Sequence, residues 1–130
     1  MTAIVRPGAR AVPATIEFII DGGGGPITTG VKGDIEMPFS GTITSARLLA
    51  GATGSIVIDI WKDAYARFPP TVLDSICGAS KPTIAADDQY EDEALTGWDT
   101  LFSAGDVFRI NVDSSADLGR VTLSLTCLKA

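Results

Sequence analysis

Residues 42–62 read Thr-Ile-Thr-Ser-Ala-Arg-Leu-Leu-Ala-Gly-Ala-Thr-Gly-Ser-Ile-Val-Ile-Asp-Ile-Trp-Lys. Ile56, Ile58 and Ile60 alternate with Val57, Asp59 and Trp61, which is the two-residue period of a half-buried strand. Gly51-Ala52-Thr53-Gly54 reads as a tight connection between two such strands, 42–50 and 55–62, and so predicts a hairpin. The same period recurs on both sides. Upstream, Ile16, Phe18 and Ile20 alternate with Glu17 and Asp21, and a further strand spans 31–37 before Pro38. Downstream, Phe108, Ile110 and Val112 share one face, and Val121, Leu123, Leu125 and Cys127 another.

Between these strands lie turn signals. Gly22-Gly23-Gly24-Gly25-Pro26 ends the first strand, because a glycine run does not hold a strand and proline cannot donate to a ladder. Asp113-Ser114-Ser115-Ala116-Asp117 carries turn chemistry. The region 63–97 is less regular. Phe68-Pro69-Pro70 fixes an extended or turn backbone, 72–76 reads as a helical turn or loop, and 81–86 as a short strand. Residues 87–93 (DDQYEDE) read as an acidic surface loop, and 98–102 as a short strand. Seven or eight short strands with no amphipathic helix predict an all-β, antiparallel β-sandwich, most simply a jelly roll, over 15–130.

Residues 1–14 read as an extended arm, broken by Pro7, Gly8 and Pro13. The arm carries Arg6 and Arg10 and no acid. The other eight cationic side chains and all sixteen acids lie beyond it, a balance of −8 within the net −6 of the chain. The alternatives for this segment are a frayed terminus and an arm that orders on an acidic neighbouring protein surface.

Composition narrows the chemistry. The acidic balance argues against nucleic-acid binding, which needs a basic patch. The chain has no His, so the commonest general base and transition-metal ligand are missing. Cys77 and Cys127 are widely spaced and read as small buried apolar residues rather than a disulfide or redox pair. The glycine run lacks the Gly-Lys-Ser/Thr ending of a phosphate loop. The acids at 87–93 do not follow calcium-loop spacing, and no motif selects a carboxylate pair for glycoside hydrolysis. The expectation is therefore no enzyme, no catalytic residue, no cofactor and no metal. No apolar run approaches a membrane span and no secretory leader is visible, so no membrane partner is expected and synthesis in a cytosol is. Trp98 reads as a core aromatic with its N–H bonded near the rim, and Trp61 as either core or interface. Tyr65, Phe68, Tyr90 and Phe102 stay open between the two.

Residues 16–129 resemble a β-sandwich module of tailed-bacteriophage virion proteins. The stretches that carry the resemblance, in order, are IEFIIDGGG (16–24), TGVKG (29–33), PFSGTITSARLL (38–49), GSIVIDIWKD (54–63), PPTV (69–72), LTGW (95–98), AGDV (104–107) and VTLSL (121–125). The resemblance implies a virion structural protein, typically trimeric. The short arm before a single sandwich favours a capsid decoration (cement) protein bound to the major capsid protein. The alternative is a tail-fibre or tail-tip protein that binds a host-surface glycan or protein through loops 63–75 and 87–97. On the first reading Ile4, Val5, Arg6 and Arg10 would contact the shell, and Arg47 and Trp61 the subunit interface.

Overall fold

A computed structural model describes residues 11–130. Seven strands follow one another: β1 (Val12–Asp21), β2 (Gly30–Glu36), β3 (Gly41–Ala64), β4 (Thr83–Asp92), β5 (Leu101–Phe102), β6 (Asp106–Ala116) and β7 (Arg120–Lys129). Two 3-10 turns, Tyr65–Arg67 and Val72–Asp74, are the only helical elements among the described residues. The fold is all-β and sandwich-like, as the alternation predicts, but it is built by one sheet that curls on itself.

All pairings are antiparallel, in the order β1-β7-β3-β6-β2, with β4 and β5 on the other flank of β3. The predicted hairpin at 51–54 does not form. β3 instead runs unbroken for 24 residues. Its first half pairs with β7 (Gly41↔Lys129 to Ala50↔Val121) and its second half with β6 (Ser55↔Ala116 to Ala64↔Asp106). β6 and β7, joined at 117–119, thus act as one long antiparallel partner to β3. The physical reason is tertiary: β7 holds the chain up to Ala50 and β6 takes it from Ser55 on the same flank, so the exposed residues 51–53 carry a bend rather than a chain reversal. The register also shifts between Leu49 and Gly54 against β4.

Bending brings the two halves face to face. Ala46, Leu48, Ile56, Ile58 and Ile60 of β3 join Ile20, Phe108, Ile110, Val121, Leu123 and Leu125 in one buried core. The ends of the strand order meet as well. The Phe18 ring of β1 lies so close to Gly33 of β2 that a Cβ there would fall 2.8 Å from the ring. Phe102 closes the core against Phe108, edge to face at 5.7 Å between centroids.

Further boundaries differ from the sequence expectation, among them 113–116, read as turn but part of β6, where Ser114, Ser115 and Ala116 pair with Val57, Ile56 and Ser55. β1 begins at Val12, so residues 12–14 of the predicted arm are strand, paired with Lys129, Leu128 and Cys127. Asp87–Asp92 belong to β4 rather than to a loop, because β3 supplies a partner that local composition does not announce. Trp98 sits in the turn before β5, buried, with its indole N–H donating to the Ser80 carbonyl at 2.8 Å. Both cysteines are free and buried. Among the described residues no helix is long and apolar enough to cross a membrane.

Candidate functional site

The chain leaving β3 holds several large apolar side chains out to water. Tyr65, Phe68, Val72 and Leu73 are all largely exposed, Leu73 at 92%. Four large apolar side chains within nine residues, all exposed, form a clustered apolar stretch rather than a stray exposed leucine.

This segment is tied down at several points. The Tyr65–Arg67 turn closes with the Phe68 N–H donating to the Tyr65 carbonyl at 3.2 Å. Thr71 and Asp74 form a capping box around the second turn, with the Thr71 N–H donating to Asp74 Oδ2 at 2.8 Å. The Phe68 ring lies over the Arg109 guanidinium, 5.1 Å from its centre. Arg109, on the outer face of β6, also grips Asp34 of β2 with two hydrogen bonds of 2.8 and 3.1 Å. Between the loop and that face lies a hollow of about 310 Å³ lined by Asp34, Glu36, Tyr65, Phe68 and Val107.

The anchor beneath the loop is Asp59, a charged residue only 1% exposed. Its Oδ1 accepts from the Ile60 N–H at 2.9 Å and the Ser75 hydroxyl at 2.6 Å, and its Oδ2 accepts from the Trp61 indole at 3.0 Å. Lys81 Nζ stands 3.6 Å from Asp59 and 2.7 Å from Asp113. Asp113 and then Asp59 hold that ammonium above the ordinary lysine range, so it stays charged. A buried carboxylate needs this degree of satisfaction, and the partners here come from both ends of the loop. The backbone adds an isolated bridge between Trp61 and Ser75, and the Ile76 N–H donates to the Ile60 carbonyl at 2.9 Å. Cys77 lies behind this node. Burial first, then the Asp59 carboxylate, pushes its thiol up to about 12 despite an opposing backbone hydrogen bond, which leaves it protonated and unreactive.

The structure does not bring the sequence-predicted site residues together. Arg47 is on the exposed face of the first half of β3 and pairs with Glu91 of β4, Nε to Oε2 at 2.7 Å. Trp61 is in the second half, half-buried and committed to Asp59. Ile4, Val5, Arg6 and Arg10 lie outside the described residues. Val72 and Leu73 carry no periodic signal in the sequence. Their local marks are the Pro69-Pro70 pair that precedes them and the Thr71-x-x-Asp74 capping-box spacing that brackets them.

A second, more open hollow of about 960 Å³ lies at the bend of the sheet. Leu49, Ala50, Asp117 and Leu118 help line it, and Arg120 pairs with Asp21 at 2.8 Å on its wall. Among the described residues no group of three or more Cys, Asp or Glu is arranged to hold a metal ion.

No family model matches the chain, and no curated protein matches it. Among solved structures, the chain is similar to one described as the structure of infectious bursal disease virus Gx strain. The identity is 14% and the TM-score 0.29, over 100% of this chain and 43% of that one. This chain therefore spans less than half the length of the viral chain, and a likeness at this level carries neither family nor function.

Proposed function

We propose that this protein is a virion structural protein, specifically a capsid decoration protein that acts by binding other proteins and performs no reaction. The observation that carries the proposal is the exposed apolar loop of Tyr65, Phe68, Val72 and Leu73, anchored through Asp59 and Arg109. A loop ordered before contact loses little conformational entropy on binding, so its apolar area counts more fully toward affinity. The sequence resemblance to phage virion modules supports the setting. The shell-facing role falls to this loop, the partner is a major capsid protein, and identical copies repeat around a symmetry axis, with a trimer as the expected number.

Electron microscopy of particles bearing a labelled copy of the chain tests this directly. Density on the head, lost with Leu73→Glu, supports the proposal. Density confined to the tail overturns it.

One feature favours a tail-tip reading as the second choice. The hollow beside Tyr65 and Phe68 places two aromatic rings near the carboxylates of Asp34 and Glu36, which suits a sugar ring with hydroxyl donors. Specific retention on a host-surface glycan, lost when Tyr65 and Phe68 are replaced by Ala, would favour this reading.

A further inference from the structure

We infer that the hollow beside Tyr65 and Phe68 is a cation pocket, and that its occupant is an arginine side chain presented by the protein on which this loop docks. The inference rests on the reading of the apolar loop as the contact surface, and it names the chemistry that surface selects.

Strand register builds the pocket. Between β2 and β6, Asp34 stands opposite Arg109 and Glu36 opposite Val107. Asp34 and Glu36 are two residues apart and both exposed, so their carboxylates rise on the same side of β2. Val107 lines the base of the hollow and is only 4% exposed, and Tyr65 and Phe68 line its walls.

The charges around it do not balance. Arg109 donates to both oxygens of Asp34, so that pair is neutral within itself. The Glu36 carboxylate has no ion-pair partner among the described residues. Neither Arg67 nor Arg109 lines the hollow, which leaves it one negative charge in excess. The net charge of −6 on the whole chain likewise favours a cationic partner surface.

Hydrogen-bonding capacity points the same way. Two carboxylates accept and cannot donate, and the Tyr65 hydroxyl is the one side-chain donor on the lining. A sugar hydroxyl both gives and takes hydrogen bonds, whereas a guanidinium only gives them. Lysine also only gives, but its ammonium neither stacks on a ring nor forks onto a carboxylate as arginine does. Arg109 already shows the stacking contact, 5.1 Å from the centre of the Phe68 ring. Phe68 nevertheless stays 50% exposed and Tyr65 67%, so ring surface remains for a second cation. The volume of about 310 Å³ is at the small end of ligand sites (roughly 300–1,000 Å³) and fits one side chain rather than a run of sugars.

Titration of the full-length chain with ethylguanidinium, read through the amide shifts of Tyr65, Phe68 and Val107, tests this. Binding should saturate in the millimolar range, as one partly open charged contact allows, and added salt should weaken it. Ethylurea, neutral and of similar shape, should give no saturable shift. Glu36→Gln should weaken guanidinium binding about two- to fivefold at an unchanged melting temperature, because Glu36 is exposed. Wild-type affinity in Glu36→Gln, equal binding of ethylurea, or no saturable response to ethylguanidinium overturns the inference. Ethylammonium binding as tightly as ethylguanidinium overturns the choice of arginine. A saturable response to methyl glucoside with none to ethylguanidinium gives the hollow to a sugar instead. Shell attachment is read separately. Leu73 does not line the hollow, so Leu73→Glu should lose shells and keep guanidinium binding. If ethylguanidinium binds as expected and the wild-type chain never decorates particles, the decoration reading fails while the cation pocket stands.

Discussion

The Ser75 hydroxyl donates to the buried carboxylate of Asp59 at 2.6 Å, so a residue just past the apolar loop is fixed to the strand the loop leaves. The same carboxylate takes the Trp61 indole N–H at 3.0 Å on its other oxygen. Asp59→Asn keeps the shape but replaces one acceptor oxygen with a donating amide. Whichever way that amide points, a buried N–H or O–H donor faces another donor. The expected loss is about 1–3 kcal/mol of stability, measured by chemical denaturation. Faster proteolysis within 65–80 should accompany it, because the loop loses its anchor before the core unfolds. Unchanged stability and unchanged cleavage would show that the node is dispensable.

Asp59 also shows what local sequence can and cannot carry. The alternation Ile56-Ile58-Ile60 places three side chains in the core, and the structure puts all three there. Period alone assigns Asp59 to the solvent face, yet it is buried, because residues 75–82 return to cover it. The predicted hairpin fails for a related reason. A glycine-bounded stretch signals a bend, but whether the chain reverses there depends on partners more than fifty residues away in β6 and β7. The apolar loop is half legible: Phe68 and Tyr65 stand out as aromatics without an assigned place and Thr71-x-x-Asp74 carries capping-box spacing, while the Phe68–Arg109 contact joins residues that no local spacing connects.

Glycine at the bend tests the unbroken β3. A Cβ at Gly54 would lie 2.6 Å from the Ala116 carbonyl oxygen and 2.7 Å from Leu118, where backbone cannot yield cheaply. At Gly33 it would meet only the tip of the Phe18 ring at 2.8 Å, which can swing. Gly54→Ala should cost about 1–3 kcal/mol, and Gly33→Ala clearly less. A hairpin turn at 51–54 would not crowd Gly54 against Ala116, so equal costs in thermal melts would contradict the continuous strand.

Truncation distinguishes the strand from what precedes it. Removing residues 11–14 in addition to 1–10 deletes the pairings of Val12, Pro13 and Ala14 with Lys129, Leu128 and Cys127. The longer deletion should melt at a lower temperature than the shorter one and make the Cys127 thiol accessible to a thiol reagent in the native state. Equal melting and equal thiol reactivity would place the start of the fold after Ala14.

Leu73→Glu separates binding from stability. With Leu73 92% exposed, the substitution should change stability by less than about 0.5 kcal/mol. On the proposed function it should nevertheless abolish attachment to shells in a co-sedimentation assay, because a carboxylate at the centre of an apolar contact must be desolvated without a partner. Wild-type occupancy of shells by this variant would remove the loop from the binding surface.

Alkaline pH should weaken the fold. Burial pushes the Cys77 thiol from 9.0 to about 12 and the Cys127 thiol from 9.0 to about 11. Burial and then Asp92 raise the Tyr90 phenol from 10.0 to about 12. All three groups are neutral in both states below about pH 8, where their contribution is fully present. Between about 9 and 12 the unfolded chain releases protons that the folded chain keeps. The folded state then binds more protons than the unfolded one, and stability falls as pH rises. Denaturation midpoints measured from pH 8 to 11 should decline progressively, and Cys77→Ala should flatten the decline even though its stability at pH 8 is lower. A decline of equal steepness in that variant would mean that Cys77 titrates as freely in the folded chain as in the unfolded one, and the buried position of the thiol behind Asp59 would be wrong.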